Sequence, residues 1–171
     1  MSLLFVFLLY PLFGRTHVEQ TELLLQKHFS DSIRIENIAL ALSTSERETL
    51  QEKNKQRFPH DTLHLLLASN SEKAVGYAIV DDVQGKDQPI TYCIIVDESL
   101  AVKEVGILAY REPYGGEVQQ KSWLKQFMGK QPEDSIRPGR DIKNITGATI
   151  SARSVTLGVK KLLTLLRLVQ S

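Results

Sequence analysis

Toward its C-terminus the chain places Val155, Val159, Leu162, Leu166 and Val169 at successive intervals of four, three, four and three residues. That spacing draws one continuous apolar stripe along a helix. Arg153, Lys160, Thr164 and Arg167 fall on the opposite side. A helix patterned this way must lay its stripe on an apolar layer, and the preceding sequence supplies short strands to form one. Residues 90–96 read ITYCIIV, apolar on both faces, as a buried central strand requires. After a turn at 97–100, residues 102–110 return as a strand with Val105, Ile107 and Ala109 on one face. Residues 62–68 and 74–80 read as two further strands around a polar turn. The fold expected is a single α+β domain: an antiparallel sheet, N-terminal helices, and a long C-terminal amphipathic helix over about residues 151–168 packed on the sheet.

Upstream, residues 17–30 have helical spacing. A second helix is expected at 43–58, opened by a capping box of Ser43 with Glu46 and stopped by Pro59. Residues 119–128 read as a short helix around Trp123 and Phe127. Residues 3–14, LLFVFLLYPLFG, run without a charge. At about 1.5 Å per residue they are too short for a hydrocarbon core of about 30 Å, yet they match the apolar region of a signal peptide. The expected organisation is therefore a signal-like or membrane-anchor segment at 1–16, an N-terminal helical region with the first strand at 17–73, and the main functional domain at 74–171.

Several chemistries are excluded by what the chain contains. With 21 Lys+Arg against 20 Asp+Glu, a net charge of +1, it lacks the basic excess of a nucleic-acid binder. The single Cys93 excludes an internal disulfide and any multi-cysteine metal site, and inside a buried strand it behaves as a small hydrophobe. His17, His28, His60 and His64 form no ligand motif. Asp81, Asp82, Asp97 and Glu98 read as solvated acids in turns, and no Ser/His/Asp arrangement stands out.

Chemistry concentrates just before the last helix, where residues 146–151 read TGATIS. Ser and Thr cap helices and glycine eases the entry turn, which is one sufficient reason for this composition. The other is an anion site: N–H groups at a helix start attract phosphate, Gly147 and Ala148 leave room for close approach, and Thr149 is the hydroxyl best placed there. A second patch, residues 111–118 (REPYGGEV), combines a tight turn at Pro113, Gly115 and Gly116 with the aromatic face of Tyr114.

TGAT followed by Ile150, Ser151 and an amphipathic helix resembles the flavinylation signature of FMN-binding domains. That family includes the C subunit of the sodium-translocating NADH:quinone reductase and the G subunit of the Rnf complex. REPYGGEV is similar to the loop that precedes the flavin site in the family. The resemblance covers about residues 74–168. It implies that Thr149 carries FMN through a phosphoester bond, made by a separate magnesium-dependent flavin transferase that uses FAD. The implied cofactor-binding set is Thr149 with Thr146, Gly147, Ala148, Ile150 and Ser151, joined by Glu112, Tyr114 and Gly115. It further implies an electron carrier, not a stand-alone enzyme, working with redox partner proteins of a membrane complex on the extracytoplasmic, periplasmic side. Lys143 stands three positions before Thr146, where the family's motif carries an acid, and the nearest acid is Asp141. A flavin-free accessory module and an enzyme binding FMN non-covalently are the competing readings; Arg140, Lys143 and Arg153 are the cations from which such an enzyme would draw its phosphate contacts.

Overall fold

The computed structural model describes residues 16–30, 32–54, 62–71 and 73–170. Helix α1 (His17–Phe29) starts at a capping box in which Thr16 Oγ1 accepts from the Glu19 N–H and the Glu19 carboxylate accepts from the Thr16 N–H. Strand β1 (Arg34–Ala41) and helix α2 (Thr44–Asn54) follow. The Ser43–Glu46 capping box forms at the start of α2, with Ser43 N–H donating to Glu46 Oε2 at 2.8 Å. Strands β2 (Thr62–Asn70), β3 (Lys73–Gln84), β4 (Pro89–Asp97) and β5 (Val102–Ala109) come next. Short helical turns run through Gly116–Gln119, α3 (Lys121–Leu124) and Lys125–Phe127, and α4 (Thr149–Gln170) ends the molecule. Residues 1–15, which hold nearly all of the signal-like segment, lie outside the described residues.

The five strands form one sheet in the order β1-β2-β3-β4-β5, every pairing antiparallel and every strand beside its sequence neighbour. Strand β4 is buried from Ile90 to Val96, which is why it reads as apolar on both faces. On one face Ile79, Ile94 and Val105 meet Val155, Val159, Leu162 and Leu166 of α4, with Leu50 of α2 completing the core. On the other face Leu25 of α1 covers Leu66, Ala68, Ala78 and Ile95. The α+β architecture expected from the sequence is the one observed. Strand β1 falls in a stretch the sequence pattern leaves unassigned, and most of its residues are exposed.

The acids of β3 correct the sequence reading. Asp81 and Asp82 lie inside a strand, not in a turn, and Asp81 is buried. Its Oδ2 pairs with Lys161 Nζ at 2.6 Å, both side chains being at most 2% exposed, and accepts from Tyr92 Oη at 3.1 Å. Burial, reinforced by Asp81, pushes the Tyr92 phenol well above its ordinary pKa, so it stays a donor. Asp97 is likewise more than a solvated acid, because its Oδ1 accepts from the N–H groups of Ser99 and Ala101 and fixes the β4–β5 turn.

Candidate functional site

Helix α4 begins at Thr149, two residues before the start at about residue 151 expected from the sequence. Its first backbone bond runs from the Ala152 N–H to the Ala148 carbonyl at 2.9 Å, which puts alanine at the N-cap. Alanine has no capping oxygen. The nearby hydroxyls do not take over: Thr149 Oγ1 turns back to donate to the Ile145 carbonyl at 3.3 Å, and Ser151 Oγ is engaged with Tyr110. Capping therefore does not explain TGATIS. The N–H groups of Thr149, Ile150 and Ser151 precede the first intrahelical bond and have no acceptor within the helix. They sit where the macrodipole is positive.

Gly147 leads the chain into this turn at φ 84°, a conformation that favours glycine, and a Cβ there would meet nothing within 4 Å. The space beside it is open. Across that space lies the turn after β5, where Gly115 has φ 85° and a Cβ would press on Tyr110 and Ala148. Together the two turns enclose a cleft of about 420 Å³, within the ordinary range of small-molecule sites.

Of the residues singled out from sequence, Gly147, Ala148, Thr149, Ile150 and Ser151 line the cleft on the helix side, and Glu112, Tyr114 and Gly115 line it on the other. Thr146 is exposed one residue before the lining begins. Tyr114 is 84% exposed, an aromatic face at the rim. Lys86, Asp87 and Pro113 also line the cleft. The first two belong to the β3–β4 loop, which from sequence is only a polar connection; a link to Glu112 carries it to the site. Glu112 Oε1 accepts from the Asp87 N–H at 2.8 Å and the Gln88 N–H at 3.1 Å. Those backbone donors, Gln88 first, hold its carboxyl below the usual carboxylate range.

The other cations near TGATIS are not part of the lining. Lys143 is exposed, while its backbone is fixed at both ends: its carbonyl accepts from Trp123 Nε1 at 2.6 Å and its N–H donates to Gln126 Oε1 at 2.9 Å. Asp141 binds its own loop. Hydrogen bonds from Ser135 and then Arg137 lower its pKa to about 2.

The family model for the FMN-binding domain matches residues 85–164, which include both walls of the cleft and most of α4. The crystal structure of Shewanella oneidensis NqrC superposes with a TM-score of 0.56 over 86% of this chain and 82% of that one, at 14% sequence identity. A likeness at that identity concerns the fold. Among curated proteins none matches the chain by sequence. Over residues 85–164 the chain matches the FMN-binding domain family, and FMN is its cofactor.

Proposed function

We propose that this chain is a flavin electron carrier whose FMN is bound covalently through Thr149, in a membrane-associated electron-transfer chain on the extracytoplasmic side. The observation that carries the reading is the uncapped start of α4: an exposed threonine hydroxyl, backbone N–H groups without helical acceptors and an open glycine turn all face one cleft. FMN, when bound, supplies the one-electron redox chemistry. The protein supplies the position, the exposure and the local charge.

The charge balance of the lining favours a covalent bond over simple binding. One cation, Lys86, faces two carboxylates, Asp87 and Glu112. A phosphate dianion gains little from that set beyond the helix terminus, which contributes about 0.3–1 kcal/mol to an exposed anion. A phosphoester lowers the charge to one and makes retention independent of affinity. Thr149 has no adjacent base to activate it, so attachment calls for a separate flavin transferase. In that reaction the Thr149 oxygen bonds to the FMN phosphorus of FAD, AMP leaves, and the hydroxyl proton passes to the transferase. Residues 3–14 support membrane association or export. Among the described residues no helix is long and apolar enough to cross a membrane.

The test is the mass of the tryptic peptide containing Thr149, from protein co-expressed with an active flavin transferase and exported. The expected result is that peptide bearing FMN. An unmodified peptide, from a protein that releases free FMN on denaturation, would support non-covalent binding. A colourless protein would favour the accessory module, for which the departure at Lys143 is the sequence ground.

A further inference from the structure

Two side chains at the exit of β5 hold three separate segments around the cleft. Tyr110 Oη donates to the Tyr114 carbonyl at 2.6 Å and lies 3.0 Å from Ser151 Oγ. A phenol has one proton, and a carbonyl can only accept, so the Ser151 hydroxyl is the donor in the second bond. The 112–116 turn is thereby fastened to the first turn of α4. Gly115 is part of the same contact, since a Cβ there would stand 2.7 Å from Tyr110 Oη. Glu112 reaches in the other direction, to the Asp87 and Gln88 N–H groups. The backbone at Gly85 passes so close to Glu112 Oε1 that a Cβ at that position would collide with it. Lys86 and Asp87 reach the lining on a loop that this carboxylate holds.

We propose that Tyr110 and Glu112 are positioning residues that lock the β3–β4 loop, the 112–116 turn and the start of α4 into one preformed frame for the flavin. The frame rests on the FMN reading for its use, whereas the locking is a property of the chain alone. Two assignments follow. Glu112 acts through the loop it holds, because its Oε1 is committed to two backbone donors. The Ser151 hydroxyl donates its hydrogen bond to Tyr110, so Ser151 offers an anion its backbone N–H and not its hydroxyl.

The test compares the full chain with Glu112→Ala, Glu112→Gln and Tyr110→Phe, in two measurements. The first needs no flavin: amide hydrogen exchange at Asp87 and Gln88. Glu112→Ala removes the acceptor and accelerates exchange there roughly tenfold or more, whereas Glu112→Gln keeps an oxygen at the same reach and stays within roughly threefold of wild type. Tyr110→Phe leaves both amides unchanged. The second measurement is the visible circular dichroism of the FMN-loaded proteins. Glu112→Ala and Tyr110→Phe alter the flavin band, and Glu112→Gln preserves it. Unchanged exchange in Glu112→Ala overturns the proposal, and so does a flavin band shifted equally by Gln and Ala at 112, the signature of a direct charge contact. A wild-type band in Tyr110→Phe overturns the Tyr110 half. If exchange responds as stated but no protein, wild type included, takes up flavin, the locking stands and the FMN reading fails.

Discussion

Over its middle turns α4 is buried against the sheet, while its first turn lies open beside a cleft. At Lys161 the helix places a charged side chain in the core, matched by Asp81 and backed by the Tyr92 hydroxyl. One turn earlier, at Gly158, it comes so close to β3 and β4 that a Cβ would lie 2.6 Å from Tyr92 Oη and 2.7 Å from Val83 Cγ1. At Thr149 it has neither a capping side chain nor close cover. A helix end without a cap typically loses about 1 kcal/mol. Here the packed middle, with Val155, Val159, Leu162 and Leu166 fully in the core, makes that loss affordable. The stability of α4 is thus concentrated in one part, and the other is left available for chemistry.

This division predicts large stability effects in the middle with no direct effect on flavin chemistry. Lys161→Met leaves Asp81 as an unpaired buried carboxylate and should lower unfolding free energy by about 3–5 kcal/mol in a urea titration. Adding Asp81→Asn removes the stranded charge while keeping an acceptor for Tyr92, and should restore most of the loss. A double variant as unstable as Lys161→Met alone would show that the pair does more than neutralise itself. Gly158→Ala should cost about 1–3 kcal/mol in the same titration, because its methyl needs space that Tyr92 and Val83 occupy.

The sequence reveals the two parts of α4 unequally. The apolar stripe is local and periodic, so it shows directly which face is buried. The ion pair is not local: Lys160 and Lys161 are neighbours, and only the packing of α4 on β3 decides that Lys161 enters the core while Lys160 reaches the carbonyls of Pro132 and Asp134. Asp81 beside Asp82 therefore resembles a solvated turn until the helix is placed. Strand β1 escapes notice for a related reason. Its side chains are mostly exposed, and its pairing with β2 is made by backbone groups that carry no sequence signal. At the site, TGATIS and REPYGGEV are visible as motifs, but Lys86 and Asp87 are not. They enter through the hydrogen bonds of Glu112, a tertiary link between residues more than twenty apart.

At the open end the expected effects shrink. Gly147→Ala meets no atom, so its cost is purely conformational: about 1–2 kcal/mol for a non-glycine residue at positive φ. The stiffer unfolded chain returns about 0.4–1 kcal/mol of that. The net loss should be near 1 kcal/mol by urea titration, smaller than at Gly158 despite the identical substitution. A loss above that of Gly158→Ala would reverse the comparison between the two ends.

The smallest stability effect is expected where the functional effect is greatest. Thr149→Ala removes an exposed hydroxyl whose one hydrogen bond, to the Ile145 carbonyl, is long at 3.3 Å. Such a bond contributes little beside competing water. Alanine also has the higher helix propensity, by up to about 0.7 kcal/mol, which opposes the loss. The two terms should leave unfolding free energy within about 0.5 kcal/mol of wild type, as for an ordinary surface position. Covalent flavin should nevertheless be absent from the Thr149→Ala protein, while Thr149→Ser, which keeps the attacking oxygen, should retain some. The decisive pair of measurements is a urea titration and an intact mass on the same preparation. A fold clearly destabilised by Thr149→Ala would mean that the first turn does depend on its threonine as a structural element, and the separation of packing from chemistry along α4 would no longer hold.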